Sequence, residues 1–113
     1  MKAEKNQQWI FNREIDFEAC GAGVQRKILS YADELMCVEN HFETGAVGAL
    51  HSHPHTQISY VVSGSFEYEN NGVRKRVDAG DTILMLDGVV HGLICLEQGI
   101  VLDIFTPMRQ DFI

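Results

Sequence analysis

The sequence predicts an all-β, single-domain fold, and three observations carry that prediction. Strand-like segments are short and separated by turn residues roughly every eight to twelve positions. Apolar side chains recur with period two, and no segment of useful length holds a helical period. The chain of 113 residues suits one hydrophobic core and little else.

Taken in order, residues 1–24 read as a polar N-terminal arm ending in Cys20-Gly-Ala-Gly-Val24. Strands are expected at Lys27–Tyr31 and Leu35–Phe42, joined by Ala32-Asp33-Glu34. Gly45–His53 and Gln57–Val62 follow, and Pro54 interrupts the ladder between them because it lacks an N–H. Phe66 and Tyr68 alternate with Glu67 and Glu69, and Asn70-Asn71-Gly72 supplies the positive-φ residues of a tight hairpin. Val73–Val77 returns, Asp78–Asp81 turns again, and Thr82–Leu86, Val90–Leu96 and Ile100–Phe105 complete the set.

Bulk composition narrows the function classes. Apolar residues make up 45% of the chain, too many for a disordered segment. The net charge of −7 argues against nonspecific binding to nucleic acid or to an anionic membrane. The first eleven residues carry charges and amides where a signal peptide needs an apolar run, and no segment reaches the length of a membrane span. Cys20, Cys37 and Cys95 are odd in number and form no C-x-x-C pair. Free, mostly buried thiols in a reducing cytoplasm are the expectation.

The histidines carry the chemistry. Residues two apart on a strand share a face, so His51 and His53 are expected to point together. Gln57 has the same parity past the bend at Pro54, and His91 follows Gly88 ahead of an apolar strand. Three imidazoles and one oxygen donor make a nitrogen-rich set for one divalent ion: Zn, Ni, Fe or Mn. His55 shares the ligand parity but follows Pro54, so it is expected beside the site. His41 reads as a polar strand residue. The competing readings are a solvated histidine loop with His91 as a satisfied core side chain, and a metal-free barrel in which Gln57 marks a decayed site.

The glycines make the case specific. Gly45-x5-His51-x-His53-x3-Gln57-x6-Gly64 (residues 45–64) resembles the first cupin motif, with glutamine where glutamate is usual. Gly80-x5-Leu86-x-Gly88-x2-His91-x3-Cys95 (residues 80–95) has the spacing of the second motif. Leu86 and Cys95 depart from its usual proline and asparagine. The resemblance implies one cupin domain over residues 1–113, a small antiparallel jelly-roll barrel with a metal held by His51, His53, Gln57 and His91.

The C-terminus narrows the resemblance further. Leu102-Asp-Ile-Phe-Thr-Pro-Met-Arg-Gln-Asp-Phe112 is similar to the ending of pectin-degradation cupins of the KdgF type. In these proteins a His-x-His-Pro-His run is followed by glutamine as a ligand, and Thr56 departs from the glutamate often seen there. This likeness implies a metal-dependent enzyme that converts 4,5-unsaturated uronate monosaccharides, small acidic sugars, into linear keto forms. It also implies a homodimer paired through an N-terminal strand. By motif position, Asp103, Phe105 and Arg109 would be the functional residues outside the metal shell.

The residues themselves make chemical sense of that assignment. Val101, Asp103 and Phe105 share one strand face, and Leu102 and Ile104 take the other. A carboxylate among apolar neighbours is costly unless paired or used. Asp103 is thus either a proton-transfer group or a rim aspartate in a salt bridge with Arg109. Arg109, brought back by the turn at Pro107, suits a uronate carboxylate by bidentate geometry, and Phe105 offers an apolar face to a sugar ring. Gln57 leaves the ion's charge uncompensated, where a glutamate would oppose an anionic substrate. Other readings of the same barrel are a sugar-binding module without turnover, or a metal-dependent oxygenase or isomerase acting on another substrate.

Overall fold

The computed structural model describes all residues, 1–113. Eight strands form it: β1 (Glu18–Gly21), β2 (Val24–Ala32), β3 (Leu35–Phe42), β4 (Val47–His51), β5 (Thr56–Asn70), β6 (Val73–Asp78), β7 (Thr82–Met85) and β8 (His91–Thr106). Short 3₁₀ turns at Asn12–Glu14 and Gln110–Phe112 flank them. All pairings are antiparallel, in the order β1-β2-β3-β8-β5-β6, with β4 added on β8 and β7 on β5. The predicted all-β jelly-roll architecture is what the chain adopts.

Two long strands organise the barrel, and here the sequence reading needs correction. Gln57–Val62 and the Phe66–Tyr68 segment are one strand, β5, and Val90–Leu96 and Ile100–Phe105 are one strand, β8. The Ser63-Gly-Ser65 and Glu97-Gln-Gly99 stretches resemble turns but form the irregular crossing of β5 and β8, where the register shifts. Gly64 sits at φ 79°, and a Cβ there would come within 2.7 Å of the Gly99 Cα. Only glycine permits both that conformation and that approach. On one side of the crossing β8 pairs with β4 and the end of β5. On the other it pairs with β3 and the start of β5.

The arm is also more structured than expected, since Glu18–Gly21 pairs with β2 as an edge strand. The Asn71-Gly72 hairpin has the positive φ angles the sequence calls for, 51° and 80°. The core fills around the crossing with Val61, Phe66, Met85, Cys95 and Val101. A second cluster of Met36, Val38, Phe105 and Met108 packs near the C-terminal segment.

At the start of β5 the usual polarity is partly reversed. Gln57, Ser59 and Val61 are buried, whereas Ile58, Tyr60 and Val62 are 46%, 43% and 46% exposed. Polar side chains therefore line this part of the barrel interior, and an apolar row lies outside.

Candidate metal centre

The bend in β8 brings its two ends to one place. The His53 ring lies 5.0 Å from His91 at the start of β8 and 5.8 Å from Phe105 near its end. His51 closes β4 and pairs in register with His91, their ring centroids 4.5 Å apart. Ligand atoms of His51, His53 and His91 all fall within 4.8 Å of one another. The three histidines are positioned to bind one metal ion.

They do not converge by strand parity alone. His53 lies beyond β4, which ends at His51 and carries a register shift between Gly48 and His51. A loop places His53, and its carbonyl accepts the Gly88 N–H at 3.1 Å. Gly88, at φ 77°, thereby ties the turn of the second motif to the histidine run of the first.

Hydrogen bonding to the backbone fixes which nitrogen is free in two of the three rings. A backbone carbonyl can only accept, so the ring nitrogen facing it carries the proton. His51 Nδ1 donates to the Ala49 carbonyl at 2.8 Å and His91 Nδ1 to the Val89 carbonyl at 2.9 Å. Both leave Nε2 with a bare lone pair. His91 Nε2 is buried without any hydrogen-bond partner, a costly arrangement unless something binds it.

Gln57 is oriented by a similar argument. Ser59 Oγ lies 2.5 Å from Asp103 Oδ1. A carboxylate only accepts, so the single hydroxyl proton points there. The Gln57 group 3.1 Å from that hydroxyl must then be the amide NH₂, which turns Oε1 toward His53 Nε2, 3.1 Å away. With the bare Nε2 atoms of His51 and His91, the His53 ring and this amide oxygen complete a set of three imidazoles and one oxygen donor that fits a divalent ion.

The surrounding electrostatics suit ligation. Burial, then the nearby Arg109 charge, pushes His53 down to about 4, and burial lowers His91 as well. Neutral imidazole is the form that binds metal. Asp103 moves the other way. Burial raises it to about 6, outweighing the opposing effects of Ser59, Gln57, Arg109 and Asn40. Asn40 Nδ2 donates to Asp103 Oδ2 at 2.8 Å, so both carboxylate oxygens are held.

Arg109 does not pair with Asp103. Its Nε and one terminal nitrogen bind Asp111 at 3.0 and 2.7 Å, and its guanidinium lies 5.2 Å from the Phe105 ring centroid and 4.3 Å from that of Phe112. The rim salt bridge considered from sequence is therefore absent, while the charge still acts on His53 and Asp103. Phe105 is only 2% exposed. It packs under His53 and Arg109 and offers no open face to a sugar.

His55 stands beside the site, as expected, and His41 pairs with Glu39 on β3. Sequence reasoning missed Ser59 and Asn40. Both are ordinary polar strand residues by sequence, but the inward parity that Ser59 shares with Gln57 was a usable signal.

A jelly-roll barrel with three imidazoles converging at one end defines a recognisable class. The cupin-domain family model matches residues 38–105, and the chain belongs to the cupin family. It is 40% identical over 108 residues to the pectin degradation protein KdgF of Dickeya dadantii (strain 3937), covering 94% of this chain and 98% of that one. Among solved structures, KdgF from Halomonas sp. matches with a TM-score of 0.91 at 38% identity, over 96% of this chain and all of that one. An RmlC-like cupin from Shewanella frigidimarina NCIMB 400 matches with a TM-score of 0.94, also at 38% identity, over 98% of this chain and all of that one.

Proposed function

We propose that this cupin is a metal-dependent enzyme of polyuronate catabolism, opening 4,5-unsaturated uronate monosaccharides to their linear keto forms. The observation that carries the reading is the position of Asp103. Its carboxylate is desolvated, held at both oxygens, and joined through one hydroxyl to Gln57 beside three converging imidazoles. The likeness to a protein named for pectin degradation supports the substrate class.

The reaction is an isomerisation. C1 is a hemiacetal carbon, and the ring oxygen on C5 belongs to an enol ether. Loss of the anomeric hydroxyl proton breaks the C1–O bond and leaves an aldehyde at C1 and an enolate at C5, and protonation of that enolate at C4 gives the ketone. His51, His53, Gln57 and His91 would hold the divalent ion (Zn, Ni, Fe or Mn), which when bound supplies Lewis-acid charge for an anionic substrate.

Asp103 takes the anomeric hydroxyl proton as the C1–O bond breaks and returns a proton to C4. A carboxyl near pH 6 can serve in both directions at neutral pH, and Ser59 and Asn40 keep it aimed. Arg109 retains a terminal nitrogen not used by Asp111, and that group orients the uronate carboxylate. Phe105 acts from below, packing the His53 ring and the guanidinium in place.

The chain would work as a homodimer. Ile58 of the exposed apolar row lies beside Leu84 of β7 and Ile104 of β8, and Tyr60 lies beside Leu102. That continuous outer face suits a second copy of the chain. The resemblance implies pairing through the N-terminal strand, which here is β1, an edge strand on β2. Cys20 is exposed, Cys37 half-buried and Cys95 buried, all three free, which supports a reducing cytoplasm. No helix is long and apolar enough to cross a membrane.

The test is to mix purified protein with freshly generated unsaturated galacturonate and follow loss of the ultraviolet-absorbing double bond. Metal-loaded protein should exceed the spontaneous rate at least a hundredfold, and chelator-stripped protein should not. Equal rates with and without protein would overturn the reading.

A further inference from the structure

His55 is the histidine of the run that the proposed chemistry leaves unused, yet both of its ring nitrogens are engaged. Its Nε2 lies 3.2 Å from the Met108 carbonyl oxygen, and its Nδ1 lies 3.2 Å from His53 Nδ1. The carbonyl can only accept, so His55 Nε2 carries the proton. In the neutral ring Nδ1 is then an acceptor. His53 can satisfy that acceptor only by presenting Nδ1–H, which leaves its own Nε2 bare.

The other two histidines show why this matters. His51 and His91 have their protons fixed on Nδ1 by direct contact with backbone carbonyls, at Ala49 and Val89. No backbone carbonyl bonds the His53 ring, and its Nδ1 contact is His55. The same ring also faces a competing partner, since His53 Nε2 is 3.1 Å from Gln57 Oε1. A proton on Nε2 would bond to that oxygen and occupy two donor atoms at once. The position of one proton therefore separates an open site from a closed one.

We propose that His55 is a positioning residue that relays the Met108 carbonyl to His53, fixes the Nδ1–H tautomer and keeps His53 Nε2 available to the ion. This rests on the metal reading given above. The relay also links the site to the C-terminal segment. Met108 is held on its other side by its N–H, which donates to the Asp33 carbonyl at 3.1 Å, and the next residue is Arg109. Seating of that segment and readiness of His53 are thus parts of one hydrogen-bonded chain. Outer partners that hold ligand histidines in this way typically contribute about 10–100-fold in metal affinity.

The experiment uses two substitutions and two readouts. His55→Phe keeps a ring against His53 and Phe105 but offers no acceptor, whereas His55→Gln supplies both an acceptor and an N–H. Zinc affinity, by chelator competition, should fall about 10–100-fold in H55F and stay within a few-fold of wild type in H55Q. Long-range ¹H–¹⁵N correlation on the metal-free proteins should find His53 as the Nδ1–H tautomer in wild type and H55Q, and shifted to Nε2–H in H55F. An H55F protein within twofold of wild-type zinc affinity, or a wild-type His53 protonated on Nε2, would overturn the proposal. If wild-type protein takes up no zinc, nickel, iron or manganese, the metal reading fails instead, and the tautomer measurement still decides the role of His55.

Discussion

Ser59 Oγ donates to Asp103 Oδ1 at 2.5 Å and accepts the Gln57 amide at 3.1 Å. One hydroxyl thus connects the carboxylate proposed for proton transfer to the amide proposed as a metal ligand. Removing it affects both. Ser59→Ala deletes the group that holds the Gln57 amide in its ligating orientation and frees one oxygen of Asp103. Metal affinity is expected to fall about tenfold, together with a loss of turnover in fully loaded protein. Competition with a chelator and rates at saturating metal check the two halves, and unchanged affinity would break the link.

Gln57→Glu tests the charge argument. A carboxylate ligates as well as an amide, so metal should be retained. The added negative charge would oppose an anionic group bound at the same ion, an interaction of about 4 kcal/mol at roughly 4 Å and an effective dielectric of 20 before screening. KM for the uronate is expected to rise at least tenfold. An unaltered KM at full metal occupancy would remove the argument.

The fold was legible in the sequence wherever local chemistry decides structure, and illegible wherever distant strands do. Asn71-Gly72 predicted its hairpin because those residues tolerate positive φ. The crossing of β5 and β8 escaped because Gly64 and Gly99 look like turn glycines until the two strands are brought together. The histidine set was readable from spacing, although His53 is placed by a loop held to Gly88 and not by the strand that carries His51. Ser59 and Asn40 meet Asp103 across sequence separations of 44 and 63 residues, and no local pattern reports such contacts. Phe105 was correctly placed on the face of Asp103, but its burial depends on the C-terminal segment packing over it.

Metal-free protein should show a specific pH dependence of stability. His53 is depressed from 6.5 to about 4. As pH falls through that window the unfolded chain binds a proton that the folded chain refuses, and stability is lost. Asp103 is raised from 3.8 to about 6, so the folded chain keeps its proton to higher pH and its contribution falls as pH rises. The two oppose each other over overlapping ranges. Metal-stripped Asp103→Asn should therefore lose thermal stability more steeply between pH 6.5 and pH 4 than metal-stripped wild type. Parallel melting curves would show that the two groups do not offset each other.

The apolar row on β5 predicts the assembly state. Tyr60 is 43% exposed between Ile58 and Val62, so Tyr60→Glu places a charge in the centre of the proposed contact. Sedimentation equilibrium at micromolar concentration should give a dimer for wild type and a monomer for the variant. A monomeric wild type would leave the row without this role.

The most direct test of the central claim is the turnover of Asp103→Asn on a freshly made 4,5-unsaturated uronate, with bound metal measured on the same sample. Asn keeps the shape of the side chain and removes its capacity to carry a proton. Metal content should equal wild type, and the rate should be lower by about 10²–10⁴. A variant that holds its metal and turns over at close to the wild-type rate would contradict the assignment of proton transfer to Asp103.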